Sequence, residues 1–145
     1  MADGRHTPTI LVDDRQGAPL DIEGLVRLAE VVLVGEHVED AELSVSFVTD
    51  DEIAELHLRY MDEEGPTDVL SFPLDDGNEE GARILGDVVI SPAAAGRNNP
   101  SDPASEVRLL LVHGILHLLG HDHEADADRT AMWALQERYT GVTVP

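Results

Sequence analysis

The chain has 145 residues, enough for one domain with a buried core, and its 42% hydrophobic and 27% charged residues are typical of a globular protein. It contains no cysteine, which excludes disulfide bonds, thiolate metal sites and a thiol nucleophile. With 30 acidic and 9 basic residues, the formal charge of −21 argues against DNA as a partner and against RNA binding outside a small positive pocket.

Residues 1–145 contain no linker or internal repeat, and we expect them to form a single domain. No apolar stretch approaches the 18 or so residues that a membrane span needs, and the first residues have no apolar signal-peptide core. We therefore expect no membrane contact and a cytoplasmic location.

Hydrophobic periodicity and capping patterns predict an α/β chain. In chain order we predict strand 9–13, helix 21–34, strand 41–49, helix 49–60, strand 69–73, strand 84–91, helix 104–119 and helix 126–139. Asp21 is the predicted N-cap of the first helix, and the pair Thr49 and Glu52 matches a capping box for the second. The helix after Asp102 and Pro103 is apolar nearly all round, so it must be buried.

Four of the seven histidines fall within His113–His123. His113 and His117 are four residues apart, so on a helix their rings lie on one face at a spacing suited to a single metal ion. Gly120 can take a left-handed conformation that reverses the chain and brings His123 to the same ion. A lone buried histidine is usually a hydrogen-bonded core residue, but two unpartnered imidazoles would cost about 1–3 kcal/mol each. We therefore predict one metal ion bound by these three histidines.

Zinc is the expected ion, since nitrogen ligands suit it, although nickel and copper also accept imidazoles. Asp122 or Glu124 would close the fourth position in a structural site, whereas we favour the open position of a catalytic site. His121 is expected beside the ligands or on the substrate side. The spacing H-x-x-x-H-x-x-G-x-x-H matches the zinc motif of metzincin proteases except that Gly114 replaces the catalytic glutamate. Since an internal helix glycine is unfavourable, we expect a backbone or a ligand to approach there.

The segment His113–His123 resembles the motif H-G-x-L-H-L-x-G-[YH]-D-H of the YbeY family of bacterial endoribonucleases and rRNA maturation factors. Pro66–Pro73 and Leu85–Ile90 resemble two further blocks of that family, P-T-D-V-L-S-F-P and L-G-D-[IV]-x-I. The resemblance implies an α/β fold: a small, mostly parallel four-stranded sheet, about five or six surrounding helices and a metzincin-like zinc helix. It also implies one zinc per chain with His113, His117 and His123 as ligands.

The function implied by the resemblance is cleavage of single-stranded RNA in the 3′-end maturation of 16S rRNA and in ribosome quality control. The expected partners are the 16S rRNA precursor, the small ribosomal subunit and its associated factors. One departure concerns the family's arginine before the second block, because Met61 stands at that position. Arg59 lies two residues earlier, which turns its side chain about 200° around a helix.

Arg59 is nevertheless a candidate catalytic residue, with Arg83 and Arg97 as alternative sources of positive charge. Asp122, next to a predicted ligand, is a candidate general base or an orienting partner of a ligand imidazole. We expect the polar residues of the second block, Thr67, Asp68 and Ser71, to satisfy backbone groups rather than act in catalysis.

Two other functions are compatible with the zinc motif. The first is a non-catalytic ribosome assembly factor stabilised by zinc, which the charge of −21 and the missing arginine favour. The second is a zinc metallopeptidase, which Gly114 disfavours because it removes the expected proton acceptor. The leading prediction is a zinc-dependent endoribonuclease.

Overall fold

The computed structural model describes residues 8–38, 40–61, 67–74, 83–120 and 126–140, with side chains except at 83 and 126–130. These ranges contain β1 (Thr9–Asp14), α1 (Ile22–Gly35), β2 (Ala41–Phe47), α2 (Asp50–Met61), β3 (Val69–Pro73), β4 (Arg83–Ile90), α3 (Pro92–Asn98), α4 (Pro103–Leu118) and α5 (Asp126–Thr140). None of the helices in these ranges is long and apolar enough to cross a membrane.

The four strands form one sheet in the order β1-β2-β4-β3. β1 pairs with β2 and β2 pairs with β4 in parallel, whereas the edge strand β3 runs antiparallel to β4. The α1 helix is the crossover connection that a parallel pair such as β1 and β2 requires. The predicted α/β class and the mostly parallel four-stranded sheet are therefore confirmed, with five helices in the described part of the chain.

The two faces of the sheet bury cores of different size, since successive strand side chains point to opposite faces. The larger core contains Val88 and the alternate residues of β2 and lies beneath α1 and α4. The smaller core contains Val89 and lies beneath α2. The alternation of apolar and polar residues predicted for the strand 41–49 is therefore confirmed, because the apolar residues of β2 are buried in the larger core.

The α4 helix is buried in the larger core, as its apolar sequence predicted. Asp102 caps it by accepting hydrogen bonds from the Ser105 backbone N–H at 3.2 Å and the Ser105 hydroxyl at 2.6 Å. Pro103 occupies the first turn, where its missing N–H costs nothing. The helix contacts α1, α3, α5, β3 and β4, so its position is determined from several sides.

The α3 helix was not predicted from the sequence. Ser91 caps this helix through a 3.1 Å hydrogen bond from the Ala94 backbone N–H, and Pro92 occupies its first turn. With 7 residues, the helix is too short to show an apolar period. The Ser-Pro pair is nevertheless an N-terminal helix pattern that the sequence contained.

The carboxyl end of α5 is held against the carboxyl end of α1. The Tyr139 hydroxyl donates a 2.6 Å hydrogen bond to Glu36 Oε2. The Tyr139 ring lies so close to Gly35 that an added Cβ there would be 2.9 Å from the ring's Cε1. Burial, together with the Glu36 carboxylate, raises the pKa of Tyr139 to about 12. On the same helix, Met132 is fully buried in the larger core.

Tyr139→Phe tests this attachment. Hydrogen bonds to charged groups contribute about 1.5–3 kcal/mol, so we expect a loss of about 2 kcal/mol in the free energy of unfolding at pH 7. Because the folded-state pKa of Tyr139 is raised, its stabilising effect is complete below pH 10 and is lost as the pH rises toward 12. The variant should lack this alkaline decline in urea unfolding, and parallel pH curves for both proteins would contradict the attachment.

Candidate metal centre

His113 and His117 lie one turn apart on α4, as their spacing predicted. Their ring centroids are 6.4 Å apart, with ring planes tilted by 56°. The His113 side chain is half-buried and that of His117 is exposed. The pair therefore extends from the edge of the core toward solvent, so that a ligand from solvent can reach it.

A side chain of α5 fixes the orientation of His113. Its Nδ1 lies 2.7 Å from Oε1 of Gln136, a residue that is only 3% exposed. An amide oxygen only accepts hydrogen bonds, so this contact requires the proton of the neutral imidazole to be on Nδ1. The Nε2 atom then keeps its lone pair, which is the form in which a neutral imidazole binds a metal ion.

The donor set of the pair fits zinc. Two imidazoles bound to one tetrahedral zinc at 2.0–2.1 Å have ring centroids about 5 Å apart. The observed 6.4 Å therefore requires an approach of about 1 Å, which a rotation of the exposed His117 side chain would supply while His113 stays bonded to Gln136. The helix provides the spacing, and Gln136 sets the tautomer of one candidate ligand.

The proposed third ligand, His123, lies in the segment 121–125, outside the described residues, as do His121, Asp122 and Glu124. In the described ranges, no group of three histidine, aspartate or glutamate side chains is placed to hold a metal ion. Gly120 has a φ of +98°, so the predicted left-handed conformation after the helix is confirmed. His123 as a ligand and Asp122 as a base stay predictions.

Gly114 allows α4 to pack closely on the sheet. A Cβ added at this position would lie 2.6 Å from Cγ1 of Val88 and 3.3 Å from both Ser71 Oγ and Val69 Cγ2. The expectation of a backbone or a ligand at this position was wrong, because sheet side chains fill the space. The position of the metzincin glutamate therefore faces the sheet in this fold.

Gly114→Ala should reduce stability by about 1–3 kcal/mol, the usual cost of overpacking a core, even though alanine favours a helix by about 1 kcal/mol. Gly96→Ala in α3 is the matched control, since a Cβ there meets nothing within 4 Å. We expect that control to be neutral or more stable in urea unfolding. Equal effects of the two substitutions would show that α4 does not depend on this close packing.

The candidate cations are engaged with carboxylates. Arg59 donates a 2.8 Å hydrogen bond to Glu55 one turn earlier on α2, and Met61 is 40% exposed. Arg97 makes hydrogen bonds of 2.7 and 3.1 Å to the two carboxylate oxygens of Asp50. The Arg97 guanidinium and the Ser91 hydroxyl hold the pKa of Asp50 below its usual value. The backbone of Arg83 begins β4, and its side chain lies outside the described part.

Of the three polar residues in Pro66–Pro73 that were predicted to satisfy backbone groups, Ser71 does so through its side chain, whereas the Asp68 side chain bonds to another side chain. The Ser71 hydroxyl donates a 3.0 Å hydrogen bond to the Gly114 carbonyl of α4. The Asp68 backbone carbonyl accepts from the Ser91 N–H at 3.0 Å, and its Oδ2 accepts from Asn98 at 3.1 Å. Thr67 lies near Arg97 in a shallow surface depression. Ser71 and Asp68 therefore connect the sheet to α4 and α3.

Gln136 is the site residue that sequence reasoning missed. The sequence contained one indication, because Gln136 follows the apolar Met132 by four residues and so lies on the same face of the helix. A polar side chain on a buried face needs a partner. That partner is His113, and this pairing depends on how α4 packs against α5, which a sequence pattern does not specify.

The mostly parallel sheet and the histidine pair on a buried helix define an α/β protein with a helix-borne candidate metal centre. The family model described as Endoribonuclease YbeY matches residues 14–142. A protein of that name from Thermobifida fusca is 45% identical over 138 residues, covering 88% of this chain and 89% of its own. Another, from Acidothermus cellulolyticus, is 45% identical over 144 residues, covering 88% and 87%.

The fold has a solved counterpart in a Thermotoga maritima protein determined in solution. That structure matches with a TM-score of 0.63 and 29% identity, covering 91% of this chain and 87% of the other. The chain therefore belongs to the YbeY family of endoribonucleases. The predicted family and the predicted enzyme class, a hydrolase that acts as an endoribonuclease, are confirmed.

Proposed function

We propose that the chain is a zinc-dependent endoribonuclease that cleaves single-stranded RNA, with one zinc ion held by His113, His117 and His123. The observation that supports this most directly is the hydrogen bond of 2.7 Å between His113 and the buried Gln136. It holds one of two adjacent imidazoles in the tautomer suited to a metal. A histidine that only filled the core would not need a second, exposed histidine one turn further along the helix, where His117 lies.

A bound zinc ion supplies Lewis-acid chemistry for hydrolysis of a phosphodiester. The remaining roles belong to the chain's own side chains. Gln136 holds the His113 proton on Nδ1, and Asp122, next to a proposed ligand, accepts a proton from the attacking water. Since Gly114 faces the sheet, a base at the metzincin position is sterically excluded, and we assign this role to Asp122, which directly precedes the proposed ligand His123.

Binding of the RNA strand is assigned to the end of α2. Arg59 is exposed there, and exposed ion pairs of its kind contribute about 0–1 kcal/mol, so a phosphate can replace Glu55 at little cost. The adjacent Tyr60 is 61% exposed and packs edge-to-face on Phe72, with ring centroids 5.5 Å apart. An exposed aromatic ring can stack an unpaired base. These two residues therefore favour a single-stranded substrate.

The proposed biological substrate is the 16S rRNA precursor at its 3′ end, in late maturation of the small ribosomal subunit and in ribosome quality control. The small subunit and its associated factors are the proposed partners, and the cytoplasm is the proposed location. Family membership and the three sequence blocks support this context.

The metal assignment is tested with His113→Ala and His117→Ala, using His57→Ala on α2 as a histidine control. We expect about one zinc per chain in the wild type and the control by metal analysis, and loss of zinc from both site variants. Even residues that only orient metal ligands contribute roughly 10–100-fold, so cleavage of single-stranded RNA should fall by more than about 100-fold. If zinc-loaded wild type leaves this RNA as intact as His113→Ala does, catalysis is ruled out.

A non-catalytic assembly factor is the second candidate function, and the charge of −21 and the presence of Met61 at the family's arginine position favour it. Chelation separates the two functions. Removal of a purely structural zinc should abolish cooperative unfolding, whereas removal of a catalytic zinc should leave a folded and inactive protein. We expect the second result in thermal unfolding, because the sheet and its two cores do not contain the histidine pair.

Arg59→Gln tests the proposed phosphate contact, with the exposed Arg27→Gln on α1 as a control of equal charge change. We expect Arg59→Gln to weaken RNA binding severalfold. The salt dependence of binding should become less steep, by the amount that corresponds to the loss of about one phosphate contact. Arg27→Gln should change neither quantity. Equal effects of the two variants would show that only net charge matters and would remove Arg59 from the site.

A further inference from the structure

We propose that Gln136 is a positioning residue whose amide oxygen fixes the tautomer and ring orientation of His113 for metal binding. The inference rests on the proposed function, because it assigns His113 a metal. Gln136 lies outside the zinc motif and on a different helix from the histidine pair. This role also predicts a property of the protein that can be measured without a metal.

Gln136 has the burial and the distance that this role requires. The side chain is 3% exposed, and its Oε1 is 2.7 Å from Nδ1 of His113. A buried amide that lost its partner would cost about 1–3 kcal/mol, so the contact is maintained whenever α5 is docked. In the described part of the chain, every buried side-chain nitrogen and oxygen has a hydrogen-bond partner.

The amide is held in place by a helix that is attached on both sides of it. Met132, one turn before Gln136, is fully buried in the core shared with α4. Beyond Gln136, Tyr139 donates its hydrogen bond to Glu36, the C-cap residue of α1. The Thr140 hydroxyl donates a 2.6 Å hydrogen bond to the Gln136 backbone carbonyl. The position of Oε1 is therefore set by the docking of the whole helix.

An amide oxygen has a specific effect at this position. It requires a proton on Nδ1, which leaves Nε2 as the lone-pair nitrogen of the neutral ring. A metal-ligating histidine commonly donates its second N–H in this way, and loss of the acceptor typically costs roughly 10–100-fold in metal affinity. A neutral amide achieves this without adding to the charge of −21.

The test compares three variants of the full-length protein. Gln136→Leu removes the acceptor, Gln136→Glu keeps one, and Leu135→Ala loosens the packing of the same helix while it keeps the Gln136 amide. The first measurement is the tautomer of His113 in the zinc-free protein, from nitrogen-15 NMR of the ring at pH 8. The second is zinc affinity by competition with a chelator, and the third is the free energy of unfolding.

We expect the wild type, Gln136→Glu and Leu135→Ala to keep the proton on Nδ1, and Gln136→Leu to lose this preference. Zinc affinity should fall roughly 10–100-fold in Gln136→Leu and stay within about tenfold of wild type in Gln136→Glu. Leu135→Ala should lose stability while its zinc affinity is unchanged. This combination separates positioning of the ring from stability of the helix.

Two results would overturn the proposal. One is a Gln136→Leu protein that keeps the wild-type tautomer, and the other is a zinc affinity that falls equally in Gln136→Leu and Leu135→Ala. Failure of the metal assignment within the proposed function gives a different result, because the wild type would then bind no zinc although Gln136 still determines the His113 tautomer. Failure of catalysis alone would leave the tautomer and the zinc affinities as expected and would abolish only RNA cleavage.

Discussion

The close contact between α4 and the sheet at Gly114 sets the position of everything else in the candidate centre. Without a side chain at this residue, α4 lies directly against Val88 and Val69, and the Ser71 hydroxyl bonds to its carbonyl. Successive residues of a helix are turned by about 100°, so a residue 114 that faces the sheet places residue 113 at the edge of the contact. His113 there meets α5, and His117 one turn later reaches solvent.

This geometry explains how the same spacing of histidines can occur in enzymes that catalyse different reactions. In a zinc peptidase, the residue after the first histidine provides the proton acceptor. In this fold the same position is a packing contact, and the space for a glutamate side chain is filled by β3 and β4. The histidine spacing specifies where a metal can bind. The packing of the helix decides which neighbouring residue can assist the reaction.

The sequence predicted those features that depend on neighbours along the chain. The alternation in β2, the cap at Asp102 and the left-handed Gly120 all follow from local rules, and the structure contains each of them. The short α3 was missed because it has too few residues to show a period. Gln136 was missed because its partner lies 23 residues away on another helix. The pairing of Arg59 with Glu55 was readable from the four-residue spacing, which favours such ion pairs.

The large negative charge and an RNA substrate are compatible because of how the basic residues are held. The sequence contains no lysine, and three of its arginines, Arg15, Arg59 and Arg97, make ion pairs with carboxylates while their own side chains stay exposed. Exposed pairs of this kind are weak, so a phosphate can displace a carboxylate from a guanidinium at little cost. A surface with so few available cations neutralises few phosphates, and its binding should depend only weakly on salt. Under the proposed function, recognition depends on the metal centre and on stacking at Tyr60 more than on a long basic groove, which suits a short unpaired strand better than a duplex.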